Sequence, residues 1–207
     1  VVLFGVIATH LRTRAQLWRL LGAIVLMGVV VAGYGVFQHY GHDFLNLTEI
    51  TGGGTGRVTA FMGNTLFAAA VMLMTIPITL LAGTTVLRDL STADGGLRKW
   101  LPPWLIMMVV ASLWATALAV QLLGITFTFS RGPWGGAIVA ILGFLLLTLA
   151  FAGWRPFARA GVLLAMALAL ILAVLLWQGS IPTLGSNPGL GVLAGLLPAV
   201  NAMQLKI

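Results

Sequence analysis

Two arginines at the edges of long apolar runs are the residues of this chain that are best suited to chemistry. Arg131 lies in the short polar segment 127–134, and Arg57 follows the glycine-rich stretch 52–56. An ionisable group at a membrane boundary is costly, which makes it a candidate for function. A guanidinium group binds phosphate oxygens through two parallel hydrogen bonds. Two such groups on one side of a membrane therefore predict a site for a lipid-linked diphosphate.

Each arginine taken alone has a simpler interpretation, which stays open. The glycines at 52–56 allow backbone amides to converge on an anion, but the same stretch is also typical of a loop whose arginine reaches lipid head groups. It is not a P-loop, because no Gly-Lys-Ser/Thr follows the glycines. Gly132 and Pro133 predict a turn, with Pro133 suited to the first turn of the next helix. Arg131 would then lie near a helix start, where a cation is unfavourable unless an anion such as a lipid phosphate is bound.

His39, His42 and Asp43 form the other polar cluster that could bind a ligand. Two histidines three residues apart on a helix can share a metal ion, but Gly41 weakens a helix here and no clear further ligand follows. We therefore interpret the cluster as a solvated loop and predict neither a metal site nor a cofactor. The chain has no cysteine, no Ser-His-Asp arrangement is recognisable, and no catalytic residue is assigned.

The composition excludes a soluble domain. Hydrophobic residues make up 60% of the 207 residues and charged residues 7%, whereas soluble domains carry about 25% charged residues. These proportions predict a polytopic membrane protein in contact with membrane lipid. We assign the net charge of +7 to loop arginines that orient the protein in the membrane, and we expect no nucleic-acid partner.

The long apolar runs predict an all-α fold, because helices satisfy their own backbone hydrogen bonds in lipid. We expect a polytopic transmembrane helical bundle that forms a single domain over 1–207 and is a fragment of a longer chain. A complete span needs about 20 residues, and shorter apolar runs near both ends predict partial spans. Complete spans are predicted at 17–37, 60–83, 101–126, 134–153 and 160–178, and a partial one at 1–9. The short glycine-rich run 189–203 fits the start of another span and equally a re-entrant or interfacial piece.

The basic residues alternate between the predicted loops. Eight of the eleven lie in the loops 10–19, 84–100 and 154–159, and the positive-inside rule places these loops in the cytoplasm. Arg57 and Arg131 then fall on the external side, where orientation does not account for them. The predicted spans contain no Asp, Glu, Lys or His, which disfavours an ion-coupled transporter.

Two segments resemble motifs of the O-antigen ligase and O-antigen polymerase superfamily. Residues 57–64, Arg-Val-Thr-Ala-Phe-Met-Gly-Asn, are similar to the family's Arg-x-x-Gly/Ser-Thr-Phe-Gly-Asn-Pro-Asn segment, although Gly-Asn-Thr-Leu stands where the family often has Asn-Pro-Asn. Residues 126–135, which include Ser-Arg-Gly-Pro-Trp, resemble its Thr-x-Ser-Arg-Gly-Ala-Trp segment. The order, spacing and topology of the segments also match, over roughly residues 17–180.

The resemblance implies a membrane glycosyltransferase of the bacterial inner (plasma) membrane. Family members transfer a glycan from undecaprenyl diphosphate to an acceptor such as lipid A-core, in lipopolysaccharide and cell-envelope assembly, and are metal-independent. By resemblance, Arg57 and Arg131 would hold the diphosphate of the lipid-linked glycan donor. Asn64, at a helix start, and Ser130 are the further residues expected at this diphosphate-binding site.

One departure from the family leaves the enzyme activity open. The family's proposed base is a histidine in a large external loop after the spans, and no histidine follows residue 178 in this chain. Either that loop lies beyond Ile207 or this protein lacks the activity. Two other functions therefore stay open, a non-catalytic helical subunit of a larger membrane complex and a lipid or glycan transporter.

Overall fold

The computed structural model describes residues 11–47, 58–92 and 102–180, with side chains described as far as residue 176. This part of the chain is almost entirely helical and contains no strand, which confirms the predicted all-α fold. It holds five helices that are long and apolar enough to cross a membrane, as in an integral membrane protein. The helices are α1 (Arg14–His39), α2 (Thr65–Thr92), α3 (Pro103–Phe127), α4 (Arg131–Leu147) and α5 (Trp154–Ser180).

The helices reach further into the basic segments than the apolar runs predicted. Helix α1 begins at Arg14, α2 continues to Thr92 and α5 begins at Trp154, so residues 14–19, 84–92 and 154–159 of the predicted loops are helical. The loop assignment was wrong there because a long arginine side chain can reach the head groups while its stem stays on the helix. At the start of α5, Pro156 is compatible with the first helical turn.

The second apolar run does not begin as an α-helix. Ala60–Met62 forms a single 3₁₀ turn, and Gly63 follows it with a φ of 64°, a left-handed conformation that glycine adopts without steric cost. Asn64 then accepts the backbone N–H of Leu66 on its Oδ1 at 2.8 Å. This bond satisfies one of the free N–H groups at the start of α2, as a helix N-cap does.

The fourth span ends in a change of helical pitch. Helix α4 continues into a π turn at Thr148–Ala152, where the N–H of Gly153 donates to the carbonyl of Thr148 at 3.0 Å. Gly153 has a φ of 87°, which a residue with a Cβ would adopt only under strain. This glycine separates the fourth span from α5.

Helices α1, α2 and α3 pack against one another, and α4 packs mainly on α2. Small residues allow these helices to approach one another closely, as is usual between membrane helices. A Cβ placed on Gly124 of α3 would lie 2.8 Å from Met72 Sδ and 3.1 Å from Ala32 Cβ. A Cβ on Gly28 of α1 would lie 2.2 Å from Thr75 Oγ1. Both glycines are therefore required by the close contact of the three helices.

A polar pair lies within the packed helices. Gln121 Nε2 donates to Thr79 Oγ1 at 3.1 Å, and the Thr79 hydroxyl donates to the carbonyl of Thr75 at 2.9 Å. Gln121 and Thr79 are completely buried between α3 and α2. Because polar groups in an apolar environment need partners, this pair favours one register of α3 against α2.

The chain divides into two compact units, Val1–Ala167 and Leu168–Ile207. Arg131 and Arg159 both belong to the first unit. The short apolar runs predicted at 1–9 and 189–203 lie outside the described residues. The prediction of a single transmembrane domain over 1–207 stays a prediction.

Candidate functional site

Four helix ends meet at the end of the bundle that contains Arg131, which we call the Arg131 end. Helices α1 and α3 finish there, and α2 and α4 begin there. The described segment 58–64 precedes α2 and contacts the ends of α1 and α3. The Arg131 end therefore contains described parts of both segments that were singled out in the sequence.

One backbone hydrogen bond joins the two motif segments. The N–H of Val58 donates to the carbonyl of Phe127 at 3.3 Å. Both residues are almost completely buried, with Val58 1% and Phe127 0% exposed. Although 69 residues separate them in the sequence, the chain that follows Arg57 thus lies directly against the chain that leads into Arg131. The side chain and position of Arg57 itself lie outside the described residues.

Gln38, near the end of α1, holds the segment after Val58 in place. Its Oε1 accepts the backbone N–H of Ala60 at 2.9 Å and that of Thr59 at 3.3 Å. Ala60 has a φ of 47°, a left-handed conformation that is unfavourable for alanine. The two hydrogen bonds offset this cost, because they satisfy buried N–H groups that would otherwise lack a partner.

Asp43 extends the same network into the loop after α1. Its carboxylate accepts one hydrogen bond from the Tyr34 hydroxyl and another from Gln38 Nε2, the second at 3.3 Å. The Tyr34 ring stacks on Phe61 at 4.4 Å and contacts Phe44 edge-on at 4.9 Å. Polar and aromatic contacts thus fix the loop, α1 and the 3₁₀ turn against one another.

His39 contacts the second motif segment. Its ring stacks on Phe127 with 3.7 Å between ring centroids and 9° between the planes, and the Phe129 ring lies 6.1 Å away. His39 is the last residue of α1 and is half-buried. The interpretation of His39 as part of a solvated loop was therefore wrong, because stacking on Phe127 removes one ring face from water. His42 is exposed.

Arg131 is the first residue of α4, and its side chain is exposed. Ser130 precedes it as the N-cap residue, and its side chain is buried but makes no capping hydrogen bond. The Ser130 side chain therefore leaves the first N–H groups of α4 available to another acceptor, and such groups at a helix start favour anions. A cation at this position is unfavourable by itself, so an anion bound here would relieve its repulsion from the helix dipole.

The turn before α4 lies earlier than the sequence predicted. Phe129 adopts a φ of 49°, and the helix already includes Gly132 and Pro133. Pro133 is in the first turn, as expected. The prediction of a turn at the Gly-Pro pair itself was wrong. Proline also suits the start of a helix, where its missing N–H costs nothing.

The hydroxyl of Thr59 is a further feature of the first motif segment, residues 57–64. Thr59 is 6% exposed, and its Oγ1 has no hydrogen-bond partner among the described residues. An unpaired buried hydroxyl is destabilising, and it lies one residue from the bond between Val58 and Phe127. This hydroxyl could accept a hydrogen bond from a molecule bound at the Arg131 end, or donate one to it.

Asn64 has a structural partner of its own, because its Oδ1 caps α2 through the N–H of Leu66. Its side chain is exposed. Asn64 thus fixes the N-terminus of α2, the second helix that begins at the Arg131 end. A contact of Asn64 with a diphosphate stays a prediction.

Two residues of the network were missed by sequence reasoning. Tyr34 and Gln38 are four residues apart in an otherwise apolar stretch of α1 and therefore share one helix face. Both are buried, at 4% and 8% exposure. Polar side chains at such a spacing within a span could have indicated a buried contact. Nothing in the sequence indicates which segment they contact.

The chain matches no known family model, and neither a curated protein nor a solved structure matches it. Membership of the O-antigen ligase superfamily therefore stays a prediction based on the two motif segments.

Proposed function

We propose that the Arg131 end binds a lipid-linked diphosphate and that the protein is a glycosyltransferase of O-antigen ligase type. It would transfer a glycan from undecaprenyl diphosphate to an acceptor on the external face of a bacterial inner membrane. The observation that carries the proposal is the hydrogen bond from Val58 to Phe127 at 3.3 Å. This bond joins Val58, which directly follows Arg57 in the sequence, to the segment that leads into Arg131.

The chemistry needs positive charge where the diphosphate leaves. The acceptor hydroxyl attacks the anomeric carbon of the glycan while the bond from that carbon to the diphosphate oxygen breaks. Negative charge then develops on the diphosphate, and preorganised donors at that position lower the barrier. Arg57 and Arg131 would bind the diphosphate oxygens, helped by the uncapped N–H groups at the start of α4. A base that accepts the hydroxyl proton is not assigned.

The surroundings of Arg131 suit a lipid-borne substrate. About two turns along α4 from Arg131, two outward residues are apolar and strongly exposed, Ile138 at 60% and Val139 at 70%. A polyprenyl tail could lie along this face while its diphosphate stays at the helix start. The nearby carboxylate of Asp43 accepts hydrogen bonds from Tyr34 and Gln38, and this pairing reduces its competition for the arginines.

The proposed orientation follows from the basic residues at the opposite end of the bundle. Arg14, Arg88 and Arg155 lie at or near the ends of α1, α2 and α5 that are remote from Arg131. The positive-inside rule assigns that end to the cytoplasm. The Arg131 end would then face the external side, where lipid-linked glycans are used.

The proposal is tested by ligand binding and by glycan transfer in reconstituted vesicles. Undecaprenyl diphosphate is titrated against wild type, Arg57→Gln, Arg131→Gln and the control Arg14→Gln, and transfer is measured with a lipid-linked glycan donor. Removal of a charge-assisted contact of about 1.5–3 kcal/mol should weaken binding by roughly 10- to 100-fold. The control should bind like wild type. Unchanged binding by both Arg57→Gln and Arg131→Gln would contradict the proposed site.

A second candidate, a non-catalytic helical subunit, rests on the exposure of the fourth span. Only 6% of the apolar window of this span is buried, and Ala137 is the one buried residue of α4 in the described structure. A partner helix could cover the remaining face. Stoichiometric co-purification of another membrane protein in mild detergent would favour this role, if purified protein also failed to bind undecaprenyl diphosphate.

A further inference from the structure

An apolar groove lies at the end of the bundle opposite the Arg131 end, which we call the Arg159 end. Its volume is about 670 Å³, within the roughly 300–1,000 Å³ of ligand pockets. The groove lies between the last turns of α2, the first turns of α3 and the early part of α5. From Ser112, which lines the groove, to Phe127 at the Arg131 end, α3 extends over about 22 Å at 1.5 Å per residue. The two sites are therefore separate.

The lining residues follow helical spacing on both sides. On α3, Met108 and Val109 follow Leu105 by three and four residues, and on α5 Ala158, Val162 and Met166 are each four residues apart. Each set therefore forms one face of its helix. From Ala158 to Met166 the groove extends for about 12 Å along α5 at 1.5 Å per residue. This shape, long and lined by hydrocarbon, fits part of an acyl chain.

Arg159 is the single charged residue that lines the groove within the described structure. Its guanidinium donates to Ser91 Oγ at 3.4 Å, and it has no carboxylate partner among the described residues. The other polar lining residue, Ser112, donates its hydroxyl to the carbonyl of Val109 at 2.9 Å and is thereby satisfied. The groove thus combines an apolar lining with one guanidinium group, whose remaining N–H groups are open to a hydrogen-bond acceptor.

Two tryptophans indicate where this end meets the membrane surface. Trp104, in the first turn of α3, is 62% exposed, and Trp154, at the start of α5, is 68% exposed. Exposed tryptophans concentrate at the level of lipid head groups. Arg159 is five residues from Trp154, so its side chain can reach the same level, while Val162 and Met166 lie deeper along α5.

We propose that the groove at the Arg159 end binds an anionic phospholipid, with an acyl chain against α3 and α5 and the phosphate on Arg159. Charge complementarity favours this ligand over a zwitterionic lipid. The described residues at this end include one acidic side chain, Asp89, against several arginines, so a choline group would add repulsion. The arginines are Arg12, Arg14, Arg19, Arg88, Arg155 and Arg159.

A lipid at this position would join three helices. The groove is lined by Leu87 of α2 as well as by residues of α3 and α5. A bound acyl chain therefore buries apolar surface that belongs to all three, which stabilises their packing at the Arg159 end. Because a ligand that binds only the folded state raises its stability, binding should be visible as a shift in the melting temperature.

The experiment uses the purified full chain in detergent. Phosphatidylglycerol and phosphatidylcholine with identical acyl chains are titrated while the melting temperature is recorded, for wild type, Arg159→Gln and the control Arg14→Gln. Arg14 is exposed at the same end and does not line the groove. We expect phosphatidylglycerol to bind wild type and the control about tenfold more tightly than it binds Arg159→Gln, equivalent to about 1.4 kcal/mol.

Two further arms separate a lipid site from other outcomes. Val162→Trp fills the groove and should reduce the shift by phosphatidylglycerol without changing the helical circular dichroism of the protein. Inorganic phosphate alone should give no shift. Equal shifts by both lipids in wild type, an undiminished preference in Arg159→Gln, or a full shift with inorganic phosphate would each overturn the proposal.

Discussion

The side-chain oxygen of Gln38 accepts the backbone N–H of Ala60 at 2.9 Å, and its amide nitrogen donates to Asp43 Oδ2 at 3.3 Å. One buried side chain thereby connects the end of α1, the loop that follows it and the segment that leads from Arg57 into α2. The Val58 N–H then connects this segment to Phe127. The geometry of the Arg131 end depends on both links.

We predict that Gln38→Ala destabilises the Arg131 end. The substitution leaves the N–H groups of Thr59 and Ala60 buried without their acceptor, at a cost of about 1–3 kcal/mol. Unfolding in a detergent titration should show the lower stability, and hydrogen exchange should rise in residues 58–62. The control His42→Ala changes an exposed residue at the same end and should leave both measurements unchanged. Normal protection of 58–62 in Gln38→Ala would contradict the assigned role.

A matched pair of glycine substitutions tests the packing of α1. A Cβ on Gly28 would overlap Thr75, with 2.2 Å to its Oγ1, whereas a Cβ on Gly22 would meet nothing within 4 Å. Gly28→Ala should therefore cost about 1–3 kcal/mol through overpacking. Gly22→Ala should be neutral or stabilising by up to about 1 kcal/mol, because alanine favours the helix. Detergent unfolding of the two variants measures the difference, and equal stabilities would show that α1 and α2 do not approach here as described.

The buried pair of Thr79 and Gln121 should show energetic coupling. Thr79→Val removes the partner of the Gln121 amide, which is 0% exposed, so we expect a loss of about 1–2 kcal/mol. Adding Gln121→Leu to that variant should restore part of the loss, because both polar groups are then gone. A double-mutant cycle gives the coupling energy. Strict additivity of the two substitutions would mean that the pair makes no net contribution.

Much of the fold could be predicted from the sequence, because the length of an apolar run reports directly on a membrane span. All five complete spans are present as helices. The helix ends were less predictable, since Arg88 and Asp89 end an apolar run but continue the helix of α2. The 3₁₀ turn at Ala60–Met62 was missed because its residues are as apolar as the span that follows.

The candidate site was only partly predictable. The arginines and their neighbours stand out because charge is rare in this chain, at 7% of residues. The contact between Val58 and Phe127 joins positions 69 residues apart, and no local pattern specifies such a pairing. The stacking of His39 on Phe127 is equally invisible in sequence, since a histidine two residues before a glycine also fits a solvated loop.

The most direct test of the central claim is a cross-linking measurement between the two motif segments. The chain contains no cysteine, so Arg57→Cys and Arg131→Cys can be combined in one protein without background. A short bifunctional maleimide is applied in native membranes, and cross-linked peptides are quantified by mass spectrometry. The control combines Arg57→Cys with Arg88→Cys, because α2 extends over about 35 Å between its start and Arg88 at 1.5 Å per residue. The account predicts efficient cross-linking of positions 57 and 131 and none of 57 and 88; failure of 57 and 131 to cross-link while each cysteine reacts singly would contradict it.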